Sequence, residues 1–380
     1  MLYRKMGTRI NEEVSALGFG CMRFPTFGDD KKIERTETNR LLARAVDGGV
    51  NYFDTAWPYH GGESEEVVGE FFAGGGRDQV LLATKMPVWK LNEADDLDRI
   101  FEQQLEKLKT DHIDFYLMHA LEAKWWTRLK ELDGLTWAER MKEQGKIRYL
   151  GFSFHDGYQV FVDIIDGYDG WDFCQVQYNY MNETIQAGTA GVAYAAQSGL
   201  GIVIMEPLLG GALASPPDEV RSVFAEAQDS RSPVEHALRW LWDKPDVGVI
   251  LSGMSTMEQL EENLAIADRS PVGCMPSAEI DLFRRAKTLY EEMRPVPCTS
   301  CRYCMPCPHG VYIPDNFETI NNYSMYGNRR GAEWRYNKDL GEEHQASACT
   351  ECGECEPKCP QQIPIIESLK MVHKELHTST

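Results

Sequence analysis

Asn51-Tyr-Phe-Asp-Thr-Ala-Trp-Pro-Tyr59 is the stretch around which the chain is arranged. Val50, Tyr52 and Phe53 form a short apolar run, and Asp54 stands at its end. A carboxylate at the end of a buried strand is unfavourable unless something pairs with it. Tyr59 follows beyond a proline that stiffens the loop. Two later apolar runs end in the same manner. Val80-Leu-Leu-Ala-Thr leads to Lys85, and Ile113-Asp-Phe-Tyr-Leu-Met leads to His119. Four groups able to move or steer protons therefore lie at successive strand ends or in the loops leaving them. In a parallel barrel those ends converge on one face.

Outward from this stretch, apolar runs and helical patterns alternate. Strands are predicted at 16–20, 50–54, 80–85, 113–119, 147–153, 173–177, 201–206 and 247–252. Helical patterns fill the gaps, among them 36–47, 93–108, 132–143, 186–197 and 257–267. Eight strands alternating with helices imply an α/β chain with a closed (β/α)8 barrel. An open doubly wound sheet ranks second, because no Gly-x-Gly-x-x-Gly follows an early strand. Residues 1–14 read as a hairpin under the barrel floor.

The 380 residues are 43% hydrophobic, ample for a large core, and no apolar run is long enough to span a membrane. A formal charge of -20 disfavours nucleic acid and anionic membrane as partners. Residues 1–6 lead straight into fold sequence, so no signal peptide is expected and the cytoplasm is the expected compartment.

Cysteine usage divides the chain. Cys21, Cys174 and Cys274 are scattered, and the rest of the 11 lie between Cys298 and Cys359. They read Cys298-x2-Cys301-x2-Cys304-x2-Cys307-Pro308 and Cys349-x2-Cys352-x2-Cys355-x3-Cys359-Pro360. Disulfides suit a secreted module, and zinc suits paired Cys-x2-Cys units. Triplets followed by a Cys-Pro have instead the spacing of iron–sulfur ligation. Pro295 and Pro297 break the preceding pattern, so the boundary is expected near 290, giving domains 1–290 and 291–380. In the tail a helix should start at Pro314, with Asp315 and Glu318 as a capping box, and end at Gly327. A closing helix should bury Ile365, Ile366, Leu369 and Val372.

Asp54, Tyr59, Lys85 and His119, with the strings Phe-Asp-Thr-Ala-x-x-Tyr, Thr-Lys and Asp-x-Tyr-Leu-x-His, resemble the catalytic tetrad of the aldo-keto reductases. Glu63-Ser-Glu-Glu-Val-Val-Gly also fits, and the resemblance runs from about residue 14 to 263. It implies reduction of a small-molecule carbonyl by NADP(H) or NAD(H). Tyr59 would give the proton, and Lys85 would lower its pKa by about 1–3 units. Asp54 would hold Lys85, and His119 would orient the carbonyl. For the cofactor the resemblance implies contacts from Gly20, Met22, Asp54, Ser153, Gln177 and Met205. It adds Glu206, Pro207, Leu208 and Gly210, then Gly253, Gln259, Glu262 and Asn263. Phe154 and Gln259 stand where Asn and a phosphate-binding Arg are usual. Met205 stands where an aromatic stacks on the nicotinamide.

The tail resembles the helical ferredoxins that accompany some reductases, and the whole chain resembles the iron–sulfur branch of the aldo-keto reductases. That implies two [4Fe-4S] clusters. One would sit on Cys298, Cys301, Cys304 and Cys359, the other on Cys349, Cys352, Cys355 and Cys307. An alternative function is electron transfer, with the clusters serving a flavin or a ferredoxin-like redox partner. A non-catalytic binding module is a third reading, against which the intact tetrad counts. A flavin fits the alternative, but no flavin motif is present to indicate one. The segment 120–132, with Trp125 and Trp126, reads as a wall of the substrate pocket.

Overall fold

The computed structural model describes residues 1–28, 32–227 and 231–378. A hairpin of β1 (Tyr3–Lys5) and β2 (Glu13–Ser15) comes first. Eight parallel strands follow: β3 (Leu17–Gly20), β4 (Tyr52–Asp54), β5 (Leu81–Met86), β6 (Ile113–Leu121), β7 (Ile147–Phe154), β8 (Phe173–Gln177), β9 (Gly201–Met205) and β10 (Val249–Ser252). They close as a barrel in the order β10-β3-β4-β5-β6-β7-β8-β9. Each lies within a residue or two of the run that predicts it.

Strand side chains alternate between faces, so every second residue points into the barrel. Tyr52, Ala83, Phe115, Leu117, Phe173, Val203 and Val249 meet there in one buried cluster. The hairpin adds Met6 and Ile10 from the loop between its strands, and Val14 from its second strand, to that cluster and closes the floor. Two residues further along the same inward faces come Asp54, Lys85 and His119. The barrel packing thus sets the level at which the polar groups emerge.

The helix predicted over 132–143 and the loop before it are corrected. The segment forms two helices, Ala123–Glu131 and Gly134–Glu143. Asp133 breaks them with φ 52°, a conformation that Asp tolerates better than most residues. Trp126, expected to wall the pocket, is buried against Trp171 with ring centroids 6.2 Å apart.

The chain divides into two compact units, Met1–Gly210 with Val234–Met275, and Gly211–Pro233 with Pro276–Thr380. In the second, helices Asp218–Phe224 and Ser277–Glu292 pack through Phe224 and Phe283, centroids 5.2 Å apart. Compact packing of this unit therefore reaches back to residue 276 and takes in 211–233.

The tail helices are Ile313–Tyr326, Arg329–Trp334 and Ile365–Leu376. The first ends at Gly327, φ 69°, as its sequence predicts. The capping box does not form. The helix starts one residue earlier than predicted, at Ile313 with Pro314 inside it, so Asp315 lies within the first turn instead of at the cap. Ile365, Leu369, Val372 and Leu376 are buried in a contiguous core with Phe317, Ile320 and Tyr336. Ile366, expected in that face, is only partly buried. Among the described residues no helix is long and apolar enough to cross a membrane.

Candidate active site and cysteine loops

At the upper end of the barrel, Lys85 Nζ lies 2.6 Å from Asp54 Oδ1 and 2.8 Å from the Thr55 carbonyl oxygen. The Tyr59 hydroxyl is 3.5 Å from the same nitrogen. Strand register explains the approach: Asp54 pairs with Ala83 and Lys85 with Leu117, so each group stands one step above the last. Tyr59 comes from the loop, where a tight turn with His60 at φ 52° and Gly61 at φ 67° brings it back over the barrel. His60 Nε2 accepts a hydrogen bond from Phe24 N at 3.2 Å and anchors that turn. The His119 ring stands nearly perpendicular to Tyr59, centroids 6.3 Å apart. The structure brings all four tetrad residues together.

Burial disfavours the Lys85 ammonium, but Asp54 and then Tyr59 outweigh it and hold the amine protonated. Burial raises the Asp54 carboxyl against the opposing pull of Lys85. With the ammonium bonded to Asp54 and to a carbonyl, we assign the pair as ionised. The Tyr59 phenol is raised above its usual value of 10.0 by enclosure, with Lys85 pulling it down less strongly. The predicted net lowering is therefore corrected: desolvation outweighs the ammonium. His119 lies well below 6.5, because burial, Lys85 and His155 all disfavour its charged form, so its imidazole is neutral.

The other predicted residues spread around the rim. Ser153 is buried and its Oγ accepts from Ala120 N at 2.7 Å. Gln177 Oε1 accepts from Gln186 Nε2 at 3.1 Å. Phe154 faces outward onto Phe161, centroids 5.0 Å apart, and takes no part in the site. Met205 ends β9, with Glu206 at φ 52° and Gly210 at φ 64° in the loop beyond, through Pro207 and Leu208. Gly20 lies beside Ser252, whereas Met22 is exposed. Past β10, Gly253 leaves room for Arg23, and an added Cβ would stand 2.6 Å from Arg23 Cγ. Thr256 caps helix Met257–Asp268 by accepting from Gln259 N. Gln259 turns its Oε1 to Ser255 N, 2.8 Å. Asn263 is buried and donates to Ser252 Oγ at 2.8 Å, whereas Glu262 is exposed.

Two neighbours escaped the sequence reading. Trp89 stacks obliquely beside His119, centroids 4.9 Å apart. Gln175 is buried two residues before Gln177 on the same inward face. Buried Gln175 Oε1, His119 Nδ1 and Asp54 Oδ2 have no hydrogen-bond partner among the described residues. The two-residue alternation was available to flag Gln175, but nothing local flags Trp89.

In the tail, the Cys298 thiol neighbours Cys301 and Cys359, and Cys304 neighbours Cys298, Cys301 and Cys359. Cys355 neighbours Cys349 and Cys352, and burial pushes its thiol up to about 11. Cys304, Cys307, Cys349, Cys352 and Cys355 also line one concavity. The two runs share a backbone conformation. The residues two and four after the first cysteine are left-handed in both: Ser300 and Arg302, then Glu351 and Gly353. Three of these four are not glycine, and such strain, about 1–2 kcal/mol per residue, persists where a site demands it. Among the described residues no three ligating side chains converge as the ligands of a single ion do.

The closed parallel barrel thus carries an Asp–Lys pair, a Tyr and a His at its upper end. Residues 16–273 match the Aldo/keto reductase family, and the chain belongs to it. Residues 297–363 match a 4Fe-4S dicluster domain. The chain is 26% identical over 313 residues to the uncharacterized oxidoreductase YrpG of Bacillus subtilis, covering 71% of this chain and 92% of that one. It is 26% identical over 290 residues to human aflatoxin B1 aldehyde reductase member 2, covering 63% and 79%. The aldo-keto reductase AKR11C1 from Bacillus halodurans shares the fold, with a TM-score of 0.59 at 22% identity over 75% of this chain and 96% of that one.

Proposed function

We propose that the barrel reduces a small-molecule carbonyl with NAD(P)H and that Tyr59 gives the proton. The observation that carries this is the Lys85 ammonium, held by Asp54 at 2.6 Å and within 3.5 Å of the Tyr59 hydroxyl. A reduced nicotinamide, when bound, supplies the hydride to the carbonyl carbon. Tyr59 Oη transfers its proton to the carbonyl oxygen, and Lys85 steadies the phenolate that remains. Neutral His119 keeps an N–H to donate to that oxygen. Ser153 and Gln177 face the nicotinamide end, and the unpartnered Gln175 Oε1 suits a carboxamide N–H. Trp89 closes the side of the pocket beside His119.

Gln259 supplies no positive charge, and its Oε1 is already bonded to Ser255 N. Discrimination between NADP and NAD should therefore be modest, and fluorescence titration with each nucleotide measures it. A preference for NADP of about a thousandfold or more would mean that another cation takes the phosphate.

In the tail we propose two [4Fe-4S] clusters, one on Cys298, Cys301, Cys304 and Cys359, the other on Cys307, Cys349, Cys352 and Cys355. The grouping of the thiols and the repeated left-handed loops support this. Clusters of this kind supply one-electron chemistry, which suits a ferredoxin-like partner in a reducing cytoplasm.

The direct test is Tyr59→Phe. Carbonyl reduction should fall by about 10²–10⁴-fold while nucleotide affinity holds. Turnover of the Phe variant at the parent rate would reassign the acid.

A further inference from the structure

We infer that Ser64 and Glu65, which touch no reacting group, position the Asp54–Lys85 pair from outside the barrel by gripping the strand ends that carry it; this rests on the tetrad reading above. Both side chains are fully buried at the start of helix Ser64–Ala73. Ser64 Oγ donates to the Cys21 carbonyl at 3.0 Å and shares a hydrogen bond with Thr55 Oγ1 at 2.9 Å. Cys21 N in turn donates to Asp54 O at 2.8 Å, and Thr55 O is the second acceptor of Lys85 Nζ. A single hydroxyl thus joins the ends of β3 and β4.

Glu65 does the same for β5. Its Oε1 accepts from Thr84 Oγ1 and from Gln104 Nε2, both at 2.7 Å. Gln104 Nε2 also donates to the Lys85 carbonyl at 3.0 Å, and Tyr116 OH donates to Gln104 Oε1 at 2.6 Å. Lys85 is therefore held at both ends, by its backbone from outside the barrel and by its ammonium from within.

A fully buried carboxylate is a poor source of stability. Its cation, Lys107, stands 3.4 Å away, and an apolar replacement of the same shape is often as stable or more so. What the carboxylate provides is register. It fixes helix Ser64–Ala73, helix Asp95–Leu108 and β5 to one another through directed bonds. Tyr59 and Lys85 meet at 3.5 Å, so a small drift of β5 weakens that contact.

The test reads the Tyr59 titration without requiring turnover. Tyrosinate absorbance is followed against pH for each protein and subtracted from that of its Tyr59→Phe counterpart. Thr84→Val and Glu65→Gln should move the Tyr59 midpoint up by about one pH unit, because both release the lysine strand. Thr84→Ser, which keeps the hydroxyl, should leave it in place. With an accepted carbonyl, kcat of the first two should fall about tenfold at unchanged nucleotide affinity. Far-UV circular dichroism confirms the fold, and Thr84→Val keeps the side-chain shape if Glu65→Gln does not fold. A Tyr59 midpoint unmoved in folded Thr84→Val overturns the inference. A shifted midpoint in a protein whose turnover survives Tyr59→Phe would instead leave the positioning intact and overturn the assignment of the acid.

Discussion

His119 carries a pH dependence of its own. Its folded-state pKa lies well below 6.5, with burial the largest cause. The unfolded chain therefore binds a proton at this position near pH 6.5 that the folded chain refuses. Stability from this group is complete above that pH and is lost progressively as pH falls from it toward the lower folded-state value. Urea midpoints measured from pH 7.5 to 5 should decline, and His119→Gln should flatten the decline. A slope identical in the two proteins would mean that His119 does not titrate as its surroundings dictate. The tetrad was legible because Asp54, Lys85 and His119 each close an apolar run and Tyr59 stands in the string Phe-Asp-Thr-Ala-x-x-Tyr. Its electrostatics were not, since the sequence shows the ammonium beside Tyr59 but not the enclosure that outweighs it. Trp89 was illegible for a related reason: nothing next to it in the chain refers to His119, and only the approach of the turn after β5 to the end of β6 brings them together.

At the scale of elements, helix Ser64–Ala73 approaches helix Asp95–Leu108 so closely that only glycine fits between them. A Cβ on Gly69 would stand 2.2 Å from the Lys107 carbonyl oxygen, and backbone cannot yield as a side-chain tip can. Gly69→Ala should therefore destabilise the barrel by about 1–3 kcal/mol in urea unfolding, despite the better helix propensity of alanine. A stabilised variant would show that the two helices part at little cost. Strands were the most legible elements, because burial on both faces leaves continuous apolar runs. The break at Asp133 was not, since one left-handed residue between two helical patterns leaves no periodic trace. Of the tail core, only the closing-helix face with Ile365, Leu369 and Val372 was foreseen. Phe317, Ile320, Leu369 and Val372 are spaced by helical turns and become contiguous only when the helices pack.

At the scale of the whole molecule, the proposed clusters should be measurable as about eight iron and about eight acid-labile sulfide per chain. Zinc without sulfide would refute them. Oxidative loss should open the segment between the two cysteine runs to protease. A fragment of roughly residues 1–290 should persist, because that cut keeps helix Asp218–Phe224 with helix Ser277–Glu292. An oxidised tail as resistant as the loaded one would show that the apolar core suffices alone. The paired loops carry one more consequence, a topological one. If Cys307 serves the later run and Cys359 the earlier, the chain between the runs is a ring closed by metal–sulfur bonds at both ends. A single nick within that ring would cut the polypeptide without separating it. The two pieces should travel together through a sizing column until a chelator or oxidant dissolves the iron, and only then come apart.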